Sequence, residues 1–243
     1  MLSFTCNESL LEESVQAGPG TLRSRRETTY RYLLQANPDQ PVVSEYREIL
    51  ARNNVPVRIS PAVVKALMPP PFLWATLFDD HRASHFRFEV LGHERRGVTD
   101  TVIIAFQGLL DFDEGRRLPE WTGRIWIDQD RLNPVHLEAE PSNQEERLKI
   151  GIEKYQRAFR LGTVPLRPHP RAYLLTVEFL VSRYGLSFPS QSTWRKQTVM
   201  ESGDRLTEQM VRRRFTNYRF FNIQMDEIVR GQNESASASG REP

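Results

Sequence analysis

The sequence predicts an α+β fold: a curled antiparallel sheet, a half-open barrel, with a few helices covering its concave face. Three observations predict it. Apolar residues alternate with polar ones at period two over most of the chain, as in "HFRFEV" and "PVHLEAE". Turn-forming clusters such as "ANPDQP" and "DRLNP" separate successive runs, so neighbouring strands pair antiparallel. Only two windows, 60–84 and 142–162, shift to a helical period. A meander of about nine strands is too many for a flat sheet, and such sheets curl or split.

The elements follow in order. Residues 1–20 are weakly patterned and end in the turn signal "AGPG". Residues 25–36, "RRETTYRYLLQA", read as a strand, and after the turn at 36–41 "VVSEYREIL" is its partner. "RNN" breaks that strand before a short extension, "VPVRI". Ser60 as N-cap and Pro61 at the first helical position open two short helices over 60–84, bent at the prolines 69–71. "HFRFEVLG" is a strand with Phe86, Phe88 and Val90 on one face, "HERRGVT" a turn, and "DTVIIAFQG" an apolar strand. The loop "LLDFDEGRRLPEW" leads to a hairpin with strands at about 123–128 and 134–140. Its first strand is apolar on both faces, with Ile125 and Ile127 on one and Trp126 on the other. Its second sets Val135, Leu137 and Ala139 against a wet face of His136, Glu138 and Glu140.

Ser142 and Glu145 have the spacing of a capping box for a helix over 142–162, with Leu148, Ile152, Tyr155 and Phe159 on its inner stripe. Three strands follow, within "YLLTVEFLVSRYG", "FPSQSTWRKQTVMES" and "RLTEQMVRRRFTNYRFF". The expected organisation is one domain over 1–229 and a disordered polar tail over 230–243.

Composition narrows the function. Hydrophobic residues make up 39% of the 243, enough for a substantial core. A net charge of +2 is too balanced to point to nucleic acid, so "VRRRFTNYRFF" reads as a strand with aromatics inward and arginines on the wet face, except that three consecutive arginines cannot share a face and at least one must snorkel or pair. No run of about eighteen apolar residues occurs, so no transmembrane helix is expected. Cys6 is the single cysteine, which excludes an internal disulfide and a thiolate zinc cluster. His81 and His85, four apart beside Asp79 and Asp80, could share a helix face and bind zinc. With no third ligand in sight, no metal and no cofactor are expected. "DFDEG" (111–115) lacks the ligand spacing of a calcium loop.

Several motifs together resemble a family. "GRIWIDQDRLNPVHLEAE" is close to the middle hairpin of bacterial lipoprotein carriers of the LolA/LolB type and the related RseB-like sensor domains. "RYGLSFPSQSTWR" and "VRRRFTNYRFF" are similar to the final strands of that superfamily. "SFTCNE", "LFDDHRASHFRFE" and "FTNYRFF" resemble, more closely, uncharacterised acidobacterial envelope proteins. The helix at 142–162 is longer than the family pattern has there. The resemblance implies a non-enzymatic protein with a half-open barrel, periplasmic if a signal peptide precedes this start and cytoplasmic otherwise.

The expected ligand is hydrophobic, an acyl chain or a lipoprotein's lipid, with an envelope protein as a further possible partner. The expected cavity lining is Trp74, Leu77, Phe78, Phe86, Phe88, Ile104, Phe106, Ile125, Ile127, Leu137, Leu175, Val177 and Phe179. Two alternatives stand beside this expectation: an interaction module with a filled core, and a metal-dependent enzyme using His81 and His85.

Overall fold

The computed structural model describes residues 2–16, 22–36, 43–57, 72, 74, 77, 83–109, 120–162, 170–183, 186–200 and 202–222. The described strands are β1 (Leu2–Gln16), β2 (Leu22–Ala36), β3 (Val43–Arg52), β4 (Val55–Pro56), β5 (Phe86–Arg96), β6 (Thr99–Leu109) and β7 (Glu120–Asp128). They continue with β8 (Pro134–Pro141), β9 (Arg171–Glu178), β10 (Val181–Arg183), β11 (Leu186–Phe188), β12 (Gln191–Val199) and β13 (Arg205–Asn222). One described helix, α1 (Gln144–Arg160), lies between β8 and β9.

The main sheet has eleven strands in the order β4-β3-β2-β1-β13-β12-β9-β8-β7-β6-β5, so it is open, with β4 and β5 as its edges. β10 and β11 form a separate antiparallel pair. Contacts divide the chain into two compact units: residues 1–9, 28–65 and 215–243, and residues 10–27 and 66–214.

In the second unit the expected hairpin is present. Ile125 lies opposite Leu137, and Trp126 opposite His136. Asp128 shapes the turn, its Oδ1 accepting from the backbone N–H groups of Asp130 (2.9 Å) and Arg131 (3.0 Å). The "HERRGVT" turn is shorter than expected. β5 continues to Arg96, opposite Thr99, and only Gly97 and Val98 connect the strands. Gly97 has φ +62°, which a two-residue connection needs at its first position.

The capping box is not formed. Asn143, left-handed at φ 60°, precedes α1, and no side chain caps it. Ser142 Oγ is buried without a hydrogen-bond partner among the described residues. Gln144 anchors this end instead. Its Nε2 donates to Glu140 Oε2 (2.6 Å), and its Oε1 accepts the backbone N–H of Tyr173 (2.6 Å). The β8–β9 ladder stops at Ala139 and Leu175, so the side-chain amide satisfies a strand donor just beyond it. Burial raises the Glu140 carboxyl above its ordinary pKa, against the pull of Arg205.

α1 packs through Leu148 and Ile152 on Ala172 and Val199. Ala172 and Leu175 point to opposite faces of β9. α1 therefore covers the face away from Leu175 and Val177, while Trp74, helical in backbone, packs on the face of those residues.

The first unit holds a strand the sequence concealed. β1 alternates Phe4, Cys6 and Glu8 towards a buried face, and Glu8 disguises the period because a carboxylate sits where an apolar residue belongs. Its partner is Arg47 of β3, whose Nε donates to Glu8 Oε2 (2.6 Å) and whose Nη1 donates to Glu45 Oε2 (3.1 Å). The guanidinium lies over the Tyr32 ring at 4.8 Å, and Tyr32 donates its hydroxyl to Glu45 (2.5 Å). Burial opposes the Arg47 charge, but Glu8 and Glu45 outweigh it and raise its pKa.

Asn217 takes φ +57°, and the inward residues of β13 change from odd to even numbers across it. Tyr218 and Phe220 meet Phe4, at 5.3 and 5.8 Å, while Phe215 meets Tyr32 at 6.4 Å. Of the three consecutive arginines, Arg213 is buried and Arg214 exposed, as a run of three on alternating faces requires.

Removing Arg47 would leave the Glu8 carboxylate buried without its cation, a loss of about 3–5 kcal/mol. Arg47→Ala is expected to lower unfolding free energy in urea by that amount. A loss under about 1 kcal/mol would show that the pair is solvated.

Candidate functional site

The apolar face of the second unit is ordered by strand register. One row runs across five strands: Val90 opposite Ile104, Ile104 opposite Ile125, Ile125 opposite Leu137, and Leu137 opposite Val177. A second row is Phe88, Phe106, Gly123, Ala139, Leu175, Trp194 and Val211. Both rows change character along their length. Ile125, Leu137 and Val177 are fully buried, whereas at the β5 edge Phe88 is 36% exposed and Val90 64%. The face thus passes from a dry centre to open solvent.

Trp74 and Leu77, from a segment outside the sheet, are buried in this cluster. Trp74 and Phe72 have helical backbone. The Trp74 ring lies 5.9 Å from Phe106 and 5.5 Å, edge to face, from Trp121. Both indole nitrogens, Trp74 Nε1 and Trp121 Nε1, are buried without a hydrogen-bond partner among the described residues. A buried orphan donor costs about 1–3 kcal/mol.

Gly123 permits the close packing. A Cβ there would run into the Glu138 carbonyl oxygen and come within 2.7 Å of Phe106 Cζ.

The structure brings together eleven of the thirteen residues expected to line a cavity. Phe88 stands at the exposed end, stacked on Phe86 at 6.0 Å, and Phe78 lies outside the described residues. Trp121 and Trp194 join the cluster unforeseen, and Ala139, read on the apolar face of its strand, belongs to it too. Trp121 sits at the end of a loop in the sequence, and only the extension of β7 back to Glu120 puts it in register. Val135 does not continue the row opposite Ile127. A bulge shifts the register, and Ile127 faces Pro134.

Trp126 explains the apolar centre of the opposite face. It is buried beneath charged groups: Arg96 at 5.0 Å and Arg124 at 5.7 Å from its ring, with Nε1 donating to Glu94 (2.7 Å). His136, expected in water, is buried edge-on against Trp126 at 4.9 Å, its Nδ1 2.8 Å from Glu178 Oε1. The expectation failed because the large indole and its charged cover close over the imidazole.

His85 is exposed, and His81 and "DFDEG" lie outside the described residues. Cys6 is a buried free thiol whose pKa burial pushes up, which keeps it protonated and unreactive. A shallow cavity of about 320 Å³ lies elsewhere, between α1 and the β12–β13 turn, floored by Leu148, Ile152 and Val199. Among the described residues, no helix is long and apolar enough to cross a membrane.

No family model and no curated protein matches the sequence. Among solved structures, the chain is similar to a LolA superfamily protein from Nitrosomonas europaea, with 12% identity, 93% of this chain and 89% of that chain covered, and a TM-score of 0.36. It is similar to an outer membrane lipoprotein-sorting protein domain from Vibrio parahaemolyticus, with 9% identity, coverage of 95% and 90%, and a TM-score of 0.38. A DUF1329 family protein from Desulfovibrio piger gives 10% identity, coverage of 92% and 87%, and a TM-score of 0.37. The first of these carries the LolA superfamily name, and none bears on the narrower acidobacterial resemblance. At these identities and TM-scores they carry no argument.

Gly123→Ala is expected to cost about 3 kcal/mol in urea unfolding, because backbone on β8 cannot give way as a flexible side chain would. A melting temperature within a degree of the parent would refute the tight Phe106–Gly123 contact.

Proposed function

We propose that the apolar face of the second unit binds a hydrophobic ligand, an acyl chain or the lipid of a lipoprotein, and that the protein is a non-enzymatic component of the bacterial envelope. The observation that carries this reading is the pair of cross-strand rows running from buried Ile125, Leu137 and Leu175 to exposed Val90 and Phe88. A chain laid along them gains about 0.8 kcal/mol per methylene removed from water. It would enter at the β5 edge and extend inward by displacing Trp74 and Leu77. The indole donors of Trp74 and Trp121, without a partner among the described residues, support the reading, since a ligand carbonyl would relieve them. The motif resemblance to lipoprotein carriers agrees with a periplasmic setting.

A second reading rests on an equally specific observation. Trp74, Leu77, Ile125 and Leu137 have no solvent exposure, as in a filled core whose outer surface meets a protein partner.

A fluorescent fatty-acid probe separates the two. Val90→Glu puts a charge at an exposed position and should leave stability within about 0.5 kcal/mol. It should weaken probe binding roughly tenfold or more, because the carboxylate would have to be desolvated beneath the chain. Arg87→Gln, on the opposite face of the same strand, should leave binding unchanged. A folded parent protein that ignores the probe would leave the interaction module as the better account.

The single domain over 1–229 belongs to the same proposal. β1, β2 and β13 each contribute residues to both units, and one calorimetric transition is expected. Two resolved transitions would separate the units.

A further inference from the structure

α1 carries a surface that the ligand-binding proposal does not use. From Arg147 to Arg160 it holds five basic residues and one acid, Glu153, in a chain whose net charge is only +2. Helical spacing puts Ile150, Lys154, Arg157 and Leu161 in one stripe, at intervals of four, three and four. This stripe lies opposite Leu148 and Ile152, which pack on the sheet. On this stripe Ile150 is 43% exposed and Leu161 69%; Phe159 lies on the Leu148 side of the helix, beyond the sheet contact. Among the described residues no ion pair engages Lys154, Arg157 or Arg160.

The end of the helix is firmly closed. The Leu161 N–H donates to the Arg157 carbonyl (3.2 Å), and the N–H of Gly162, at φ +65°, donates to the Phe159 carbonyl (3.0 Å). Phe159, Arg160 and Leu161 are therefore presented on fixed backbone.

We propose that the outer face of α1, from Ile150 to Leu161, docks on an anionic lipid bilayer. Lys154 and Arg157, without an ion pair among the described residues, lie between the exposed Ile150 and Leu161, which is the chemistry an anionic interface takes up: charge at the headgroups and apolar tips among the upper acyl carbons. A protein partner suits the surface less well. A stable complex buries about 800 Å² on each side around a packed centre, and this helix face offers two isolated protrusions. The docking surface shares no residue with the β5–β9 rows, so it stands or falls separately from the ligand-binding proposal.

The test is sedimentation of the full-length chain with vesicles of phosphatidylcholine alone and with phosphatidylglycerol added. Binding should require phosphatidylglycerol and fall steeply between low and high sodium chloride. Arg157→Gln with Arg160→Gln should lower partitioning roughly 20–30-fold. Ile150→Ser with Leu161→Ser should remove the binding that survives salt. All four side chains are exposed, so melting temperatures should not change, and a thermal scan of each variant checks this. Equal binding to the two vesicle types, or variants that bind like the parent, would overturn the proposal. So would a charge variant that loses retention on immobilised poly-glutamate while its vesicle binding is intact, since the surface would then serve an acidic protein.

Discussion

Ile125 lies directly opposite Leu137, and the apolar face of the second unit depends on that register. Side chains in a strand alternate between faces, so a slip of one residue would move Ile125 and Ile127 to the charged face and Trp126 to the apolar one. Glycine holds the register as firmly as the bulky residues do. Only a residue without Cβ lets the Phe106 ring lie across β7 while β8 stays at ladder distance. The bulge between Trp126 and Ile127 ends the regular row, and the bulge after Val90 does the same on β5. Between those irregularities the two rows are continuous.

The two units bury polar groups differently. In the second, the back face encloses Trp126 and His136 under side chains that keep contact with water, such as Arg124 and Glu138, linked at 3.4 Å with both partly exposed. Such a cover adds little per ion pair, and its effect is to exclude water from the indole. In the first unit, Glu8 and Arg47 are themselves inside. An ion pair of that kind adds little net stability compared with apolar residues, but it makes alternative pairings costly, because any other register strands a charge. Phe4 meets Tyr218 and Phe220 beside this pair, and Phe215 meets Tyr32, so the two ends of the sequence pack in one unit.

Strand pairs and the long helix were legible in the sequence because both faces of their patterns were satisfied locally. "GRIWIDQDRLNPVHLEAE" has a turn, matched apolar centres and a polar exit, and it folds as its pattern requires. Three features were not legible, each for a physical reason. β1 was hidden because a buried salt bridge places Glu8 in an apolar row, and its partner Arg47 lies 39 positions away. The start of α1 resembled a capping box, but Gln144 is drawn to Glu140 and Tyr173, and the backbone at Asn143 turns left-handed to deliver it. Phe88 and Val90 alternate like half-buried residues, yet their exposure depends on β5 being an edge, which no local pattern encodes. Of the expected site, the sheet residues were readable from alternation. Trp121 became part of it only through the extension of β7.

That edge constrains how anything could dock on the apolar rows. A long unpaired strand with exposed apolar residues invites another strand to add to it, and proteins guard against this with charges and bulges. β5 has both. Its side chains include Arg87, Glu89, Glu94, Arg95 and Arg96, and the ladder is interrupted between Val90 and Gly92, where φ reaches +154°. An added strand would have to cross that break and match a dense pattern of mixed charge. The face is not guarded in the same way: Phe88 and Val90 project from it beside Ile104 and Phe106, with no charge between them. A flexible chain without backbone donors can lie across the strands there, using only apolar contact. A peptide strand would instead have to pair along the edge. Under the ligand-binding proposal, the guarded edge and the open face therefore suit an acyl chain better than a β-strand partner.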